Sequence, residues 1–224
     1  MANGDAAGKY GVIWDLDGVL IDTGEYHRRS WNDLGEREGF VMSDELFKST
    51  FGMQNYQIIP MLFARSLSEE EVGQLGERKE ERYRELISGE LKILAGVREL
   101  LEGLREAGFR MAIGSSTPRK NLEFMLEHLP VGEYFDEYVC GEDVRRGKPA
   151  PDTFLKATEK LGLEADKCVV IEDAPAGVKA GKSAGMKVIG VTNTVRAEEL
   201  VMADLVTDSL AKISAGDIFK LLRG

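Results

Sequence analysis

The sequence has little that binds soft metals. Among 224 residues there are two histidines and two cysteines. His27 and His128 are too few for a histidine-rich zinc site. Cys140 and Cys168 each fall in an apolar run, without the spacing or partners of a metal site. They read as buried, reduced thiols, which points to a cytosolic (cytoplasmic) protein. No apolar stretch approaches the roughly 18 residues of a membrane span. Residues 1–8 are small and polar and lack an apolar h-region, so they read as a flexible leader and not as a secretory signal. Basic residues are outnumbered, 29 against 39 acidic, leaving a net charge of −10. That balance argues against nucleic acid or an anionic membrane as a general partner. A small phosphorylated ligand stays open, because local positive charge can hold it. Repeats and low-complexity runs are also missing, and no feature sets the oligomeric state.

What is present is a pair of carboxylates at the end of an apolar run. Gly11-Val12-Ile13-Trp14 reads as a buried strand. Asp15 and Asp17 follow, two residues apart, so in extended backbone they point to the same side. Gly18 then allows a sharp turn. Two adjacent carboxylates repel, and are accommodated by a cation between them or a proton on one. A strand-end turn is the plain alternative. A calcium loop is excluded, because Leu20 and Tyr26 stand where its Gly and Glu are needed.

Further along, helices and strands alternate. Strands are expected at 109–113, 138–140, 168–171, 187–191 and 205–206. Helices are expected from Val97 to the stop at Gly108, from Thr117-Pro118 with Thr117 as cap, at 152–162, and at 175–184. This alternation implies a parallel sheet covered on both faces. Residues 23–89 differ: helices are expected at 25–38, 44–50, 56–64 and 68–87, with Ser68-x-x-Glu71 as a capping box. The charged run Glu77 to Glu85 reads as a solvated helix face.

Three further expected strand ends carry polar groups. Ser115, Ser116 and Thr117 precede Pro118, where hydroxyls and backbone N–H groups can bind an anion or simply cap a helix. Lys148 is held between Gly147 and Pro149. Glu172 and Asp173 place two carboxylates after Val170-Ile171, more than helix capping alone requires. Gly177-x-x-x-Gly181-Lys182-Ser183 is one residue short of a phosphate-binding Walker loop and lies inside an expected helix.

The order Asp15-x-Asp17-Gly18-Val19-x-x-Asp22, Ser115, Gly147-Lys148-Pro149-x-Pro151, Glu172-Asp173-x-x-x-Gly177 resembles the haloacid dehalogenase superfamily over nearly the whole chain. The helical segment resembles the cap of its β-phosphoglucomutase and phosphoglycolate phosphatase subgroup. The resemblance implies an α/β fold with a Rossmann-like parallel sheet core (residues 1–22 and 90–224) and an inserted all-helical cap domain (23–89). It implies Asp15 as nucleophile, ionised at neutral pH from an ordinary pKa of about 3.9. It implies Asp17 as general acid and base, kept protonated at first by like-charged neighbours. Mg²⁺ would bind Asp15, the carbonyl of Asp17, and Asp173, with Glu172 beside it. Ser115, Ser116 and Lys148 would hold phosphoryl oxygens. Thr23, His27, Asn55 and Lys79 would serve the cap side of the substrate.

A residue in the position of Asp17 favours oxygen leaving groups over halide. Asn55 stands roughly where a β-phosphoglucomutase has the arginine that grips a second phosphate. The expected activity is therefore a phosphatase acting on small phosphorylated metabolites, sugar or polyol phosphates. The alternatives are a β-phosphoglucomutase-like mutase and a catalytically idle binding protein. Glycines near Asp22-Thr23-Gly24 and Ser88-Gly89 suggest hinges.

Overall fold

The computed structural model describes residues 8–224, so the leader reading for Met1–Ala7 lies outside the described residues. Six parallel strands form one sheet in the order β3-β2-β1-β4-β5-β6. They are β1 (Gly11–Trp14), β2 (Arg110–Gly114), β3 (Glu137–Val139), β4 (Cys168–Glu172), β5 (Lys187–Val191) and β6 (Leu205–Thr207). The order is that of a Rossmann-type sheet, in which ligands bind beyond the carboxyl ends of the strands.

Central strands must be apolar on both faces, because helices cover both. In β1, Val12 and Trp14 pack into one buried cluster and Ile13 into the other. The same alternation sends Met111 and Ile113 to the first and Ala112 to the second. Helices α5 (Val97–Glu106), α6 (Arg119–His128) and α9 (Ala215–Arg223) cover the first face; α7 (Asp152–Leu161) and α8 (Pro175–Ser183) cover the second.

Between β1 and α5 the chain forms α1 (Gly24–Glu38), α2 (Asp44–Thr50), α3 (Asn55–Leu62) and α4 (Glu69–Ile87). These helices share a core of their own, built on Trp31, Leu34, Ile58, Ile59 and Leu75. The expected capping box forms: Ser68 Oγ accepts from Glu71 N at 3.2 Å, and Glu71 Oε2 accepts from Ser68 N at 2.8 Å.

Two expectations are corrected, and one helix was not expected. Thr117 does not cap α6; Pro118 holds the N-cap position with extended backbone, and Thr117 Oγ1 is buried without a hydrogen-bond partner. The run Glu77 to Glu85 is not wholly a solvated face, because Lys79, Glu80 and Tyr83 are buried in it. Helix α9 had a readable signal that the apolar pattern alone did not expose, the Ser214-x-x-Asp217 capping box. Cys140 and Cys168 are free and buried, as expected, and burial pushes each thiol up to about 12.

Candidate active site

The site lies beyond the carboxyl ends of β1 and β4, the neighbours at which the strand order reverses. Asp15 continues the β1–β4 pairing by donating its N–H to Ile171 O at 3.0 Å. Gly18 turns the chain with φ +77°, and a Cβ there would lie 1.8 Å from Asp173 Oδ2. Backbone conformation and close approach therefore both require glycine.

Lys148 is fully buried. Its Nζ lies 2.9 Å from Asp15 Oδ1 and 2.6 Å from Glu172 Oε1. Glu172 Oε2 accepts the backbone N–H groups of Asp173 and Ala174, each at 2.9 Å. Glu172 thus ties Lys148 to the turn after β4, and its second oxygen is engaged by backbone. Gly177 makes room for it, since a Cβ there would lie 1.7 Å from Glu172 Oε1.

Asp15, Glu172 and Asp173 bring one carboxylate oxygen each within 4.8 Å of one another. Asp173 Oδ2 accepts from Thr194 Oγ1, while its Oδ1 is buried without a hydrogen-bond partner. Burial raises the pKa of Asp15 to about 8, with Glu172 and Asp17 adding to it against the pull of Lys148. Burial also pushes Asp173 well up, reinforced by Glu172 and Asp15. Three carboxylates around one lysine are short of positive charge. A hard divalent cation between Asp15 and Asp173 fits this all-oxygen set and would restore both to the ionised form. Burial thus works against the ordinary ionisation expected of Asp15, and a cation beside it would offset that effect.

Asp17 lies outside that cluster, so its carboxylate is not among the candidate metal ligands. It faces the helical insertion instead. His27 Nε2 is 3.2 Å from Asp17 Oδ1, and Tyr83 OH donates to the same oxygen at 3.4 Å. Lys79 Nζ is 2.6 Å from His27 Nδ1. An ammonium only donates, so Nδ1 accepts and the imidazole proton sits on Nε2, directed at Asp17. Tyr83 stacks on the ring, 4.0 Å between centroids and 9° from parallel. Burial opposes ionisation of Asp17, but His27, Thr23 and Lys79 outweigh it and hold the carboxyl below its usual value. The expectation that like charges keep Asp17 protonated is therefore corrected; its neighbours on the insertion side are cationic or donating.

A cavity of about 60 Å³ reaches from Asp15, Asp17 and Ser115 to His27, Asn55 and Lys79 on the insertion. Ser115 Oγ accepts from Thr117 N at 3.0 Å. Ser116 and Thr117 line the cavity, and their hydroxyl oxygens are buried without hydrogen-bond partners. Thr23 is fully buried beside Asp17. Asn55 donates to Glu80 Oε1 at 2.8 Å.

The structure thus brings together residues from both halves of the sequence. Sequence reasoning named Thr117 in the Ser-Ser-Thr run, as an anion-binding hydroxyl or a cap. It missed Tyr83 and Thr194 as partners of the carboxylates, and Glu80 and Asn121, which depend on packing between helices and loops far apart in the chain.

Comparison with known proteins agrees with this geometry. A family model described as haloacid dehalogenase-like hydrolase matches residues 12–191. A phosphorylated carbohydrates phosphatase of Thermotoga maritima is 32% identical over 185 residues, 82% of this chain and 86% of that protein. A fructose-1-phosphate phosphatase of Escherichia coli is 31% identical, covering 81% of this chain and 95% of that one. Among solved structures, a β-phosphoglucomutase from Clostridium difficile superposes with a TM-score of 0.88 at 30% identity, covering 96% of this chain and 97% of that one.

Proposed function

Because the chain belongs to the haloacid dehalogenase-like hydrolase family and is a phosphoric monoester hydrolase, we propose that it is a Mg²⁺-dependent phosphatase of sugar or polyol phosphates that works through an aspartyl phosphate on Asp15. The observation that carries this reading is the placement of buried Asp15. It is 2.9 Å from Lys148 and clustered with Asp173, and it faces a cavity with unpartnered hydroxyls.

Residues 23–89 act as a cap over a core of 1–22 and 90–224. Asp15, Asp173 and the carbonyl of Asp17 would hold Mg²⁺, which supplies positive charge to the phosphoryl oxygens. Lys148, Ser115, Ser116 and Thr117 bind those oxygens and orient phosphorus toward Asp15. An Asp15 oxygen bonds to phosphorus while the ester P–O bond breaks. Asp17 gives its proton to the leaving oxygen, releasing the alcohol. The arriving phosphoryl dianion adds a like charge that shifts Asp17 toward carrying that proton. Asp17 then takes a proton from water; the new hydroxide bonds to phosphorus, the P–O bond to Asp15 breaks, and inorganic phosphate leaves. His27, held by Lys79 and Tyr83, positions Asp17 through this exchange.

Replacing Asp15 by Asn removes the nucleophile, and turnover should fall by at least about a thousandfold while the fold persists. Phosphate release from a panel of phosphorylated metabolites checks this, with circular dichroism as the control for folding. Near-normal turnover in folded Asp15→Asn overturns the mechanism. The likeness to β-phosphoglucomutase favours a second reading, a phosphomutase. Asn55 counts against it, having neither the charge nor the fork with which arginine grips a phosphate. In a coupled assay with catalytic glucose 1,6-bisphosphate, phosphate release should outrun isomerisation; the reverse establishes the mutase.

A further inference from the structure

Glu80 lies in the cavity wall and has no part in the reaction steps above. It is 4% exposed, on the insertion side. Oε1 accepts from Asn55 Nδ2 at 2.8 Å and from Lys79 Nζ at 2.9 Å; Oε2 accepts from Asn121 Nδ2 at 2.6 Å. Arg84, one turn along α4, donates to Asn121 Oδ1 at 2.6 Å and so fixes the amide that holds Glu80.

The charge balance of this wall is the informative part. Among the described residues lining this cavity, Lys79 is the one lysine or arginine. Glu80 pairs with it at 2.9 Å, inside a site that water barely reaches. The insertion side of the cavity therefore carries no net positive charge toward a ligand. Asn55 adds a neutral amide that is itself turned to Glu80. Asn55 and Glu80 also form part of the wall of a neighbouring groove of about 700 Å³. The other ionisable groups along that groove, apart from Tyr56, are Glu69, Glu77 and Glu142, all carboxylates. A leaving group that extends from Asp15 toward the insertion meets amides, hydroxyls and carboxylates, and the lysines beside them are already paired, Lys79 with Glu80 at 2.9 Å and Lys120 with Glu77 at 2.7 Å.

We propose that Glu80 is a specificity-determining residue: by neutralising Lys79 and lining the passage beyond Asn55, it admits phosphomonoesters whose leaving group is hydroxylated and uncharged or cationic, and rejects those carrying a second phosphate. The proposal rests on the phosphatase reading and names its substrate class. A second phosphoryl dianion here would sit beside a buried carboxylate with its counter-charge already taken. An uncharged polyol can donate hydroxyls to the carboxylate and accept from Asn55.

The test compares a hexose 6-phosphate with the corresponding 1,6-bisphosphate, through kcat/KM in wild type, Glu80→Gln and Asn55→Arg. Wild type should prefer the monophosphate by at least tenfold. Glu80→Gln frees the Lys79 charge, and Asn55→Arg adds a cation beside Glu80; each should shrink the preference about tenfold. The ratio is the readout, so a general loss of rate in either variant does not obscure it. Should Glu80→Gln fail to fold, Asn55→Arg, which keeps Glu80, carries the comparison. An unchanged ratio in the folded variants, or a wild type that favours the bisphosphate, overturns the proposal. Equilibrium binding of the same two compounds to the Mg²⁺-loaded protein gives a second measure that needs no turnover. A protein that discriminates in binding yet hydrolyses neither compound refutes the phosphatase reading and leaves the role of Glu80 standing.

Discussion

A buried carboxylate stays ionised only where opposite charge and hydrogen bonds offset its lost hydration. Glu80 has both, and although burial opposes ionisation, Lys79, His27 and Asn55 hold its carboxyl below the ordinary glutamate value. A group depressed in the folded state stabilises the fold above its unfolded value of about 4.3, and that contribution disappears as pH falls through the lower folded value. Wild-type stability should therefore drop on acidification below about pH 4.3, and Glu80→Gln should show a shallower drop. At pH 7 Glu80→Gln should be less stable by about 1–3 kcal/mol, because hydrogen bonds to a charge become hydrogen bonds to an amide. Urea denaturation at pH 7 and pH 4 measures both; equal acid slopes would show that Glu80 does not contribute. In the sequence Glu80 was one acid in a charged run, and only the partners on α1, α3 and α6 distinguish it.

At the scale of an element, α4 carries the most. One buried stripe presents Lys79 and Glu80 to the cavity and Tyr83 to Asp17 and His27, and Arg84 reaches Asn121 on α6. Its start is set locally by the Ser68–Glu71 box, far from the cavity in sequence. Ser68→Ala should cost about 1 kcal/mol of stability, the usual value of an N-cap. Thermal unfolding reads this, and kcat should not move, since Ser68 touches nothing in the site. Elements written as short apolar runs or as helical patterns were legible: β1, α2 and β5 fall where the sequence places them. The start of α6 was misread because Thr-Pro is a good opening pair by composition. Here Ser115 Oγ instead engages Thr117 N, and the Thr117 hydroxyl is buried without a hydrogen-bond partner.

For the whole molecule, the two halves meet across the cavity and along a polar seam. Gln54 Nε2 donates to Gly141 O at 2.8 Å, Gln57 Nε2 to Lys148 O at 3.3 Å, and Tyr56 OH accepts from Gly147 N at 3.1 Å. We expect this polar seam to open and admit substrate. Distances between labels on α3 and α7 should shorten when a phosphate analogue binds, with motion centred on residues 22–24 and 88–89. Unchanged distances in solution would exclude closure. The buried carboxylates make a second prediction at this scale. Chelation with EDTA should abolish activity and Mg²⁺ should restore it, and Asp173→Ala should raise the Mg²⁺ concentration needed at least about tenfold. Full activity in metal-free buffer would refute the cation's role.

The sequence by itself determined the alternating core, the helical insertion and the strand-end positions of Asp15, Ser115, Lys148, Glu172 and Asp173. Strand ends and turns are written in local patterns of apolar, glycine and proline residues, and a parallel sheet gathers them at one edge whatever the details of packing. Only the tertiary structure decided the charge state of the site. Whether Asp15 or Asp17 holds a proton depends on burial and on which cations lie within a few ångströms, and those come from residues tens to more than a hundred positions away. The same holds for Lys79, whose charge is balanced by the next residue in the chain only because α4 turns both inward. Pattern specifies where a side chain starts; packing specifies what its charge meets.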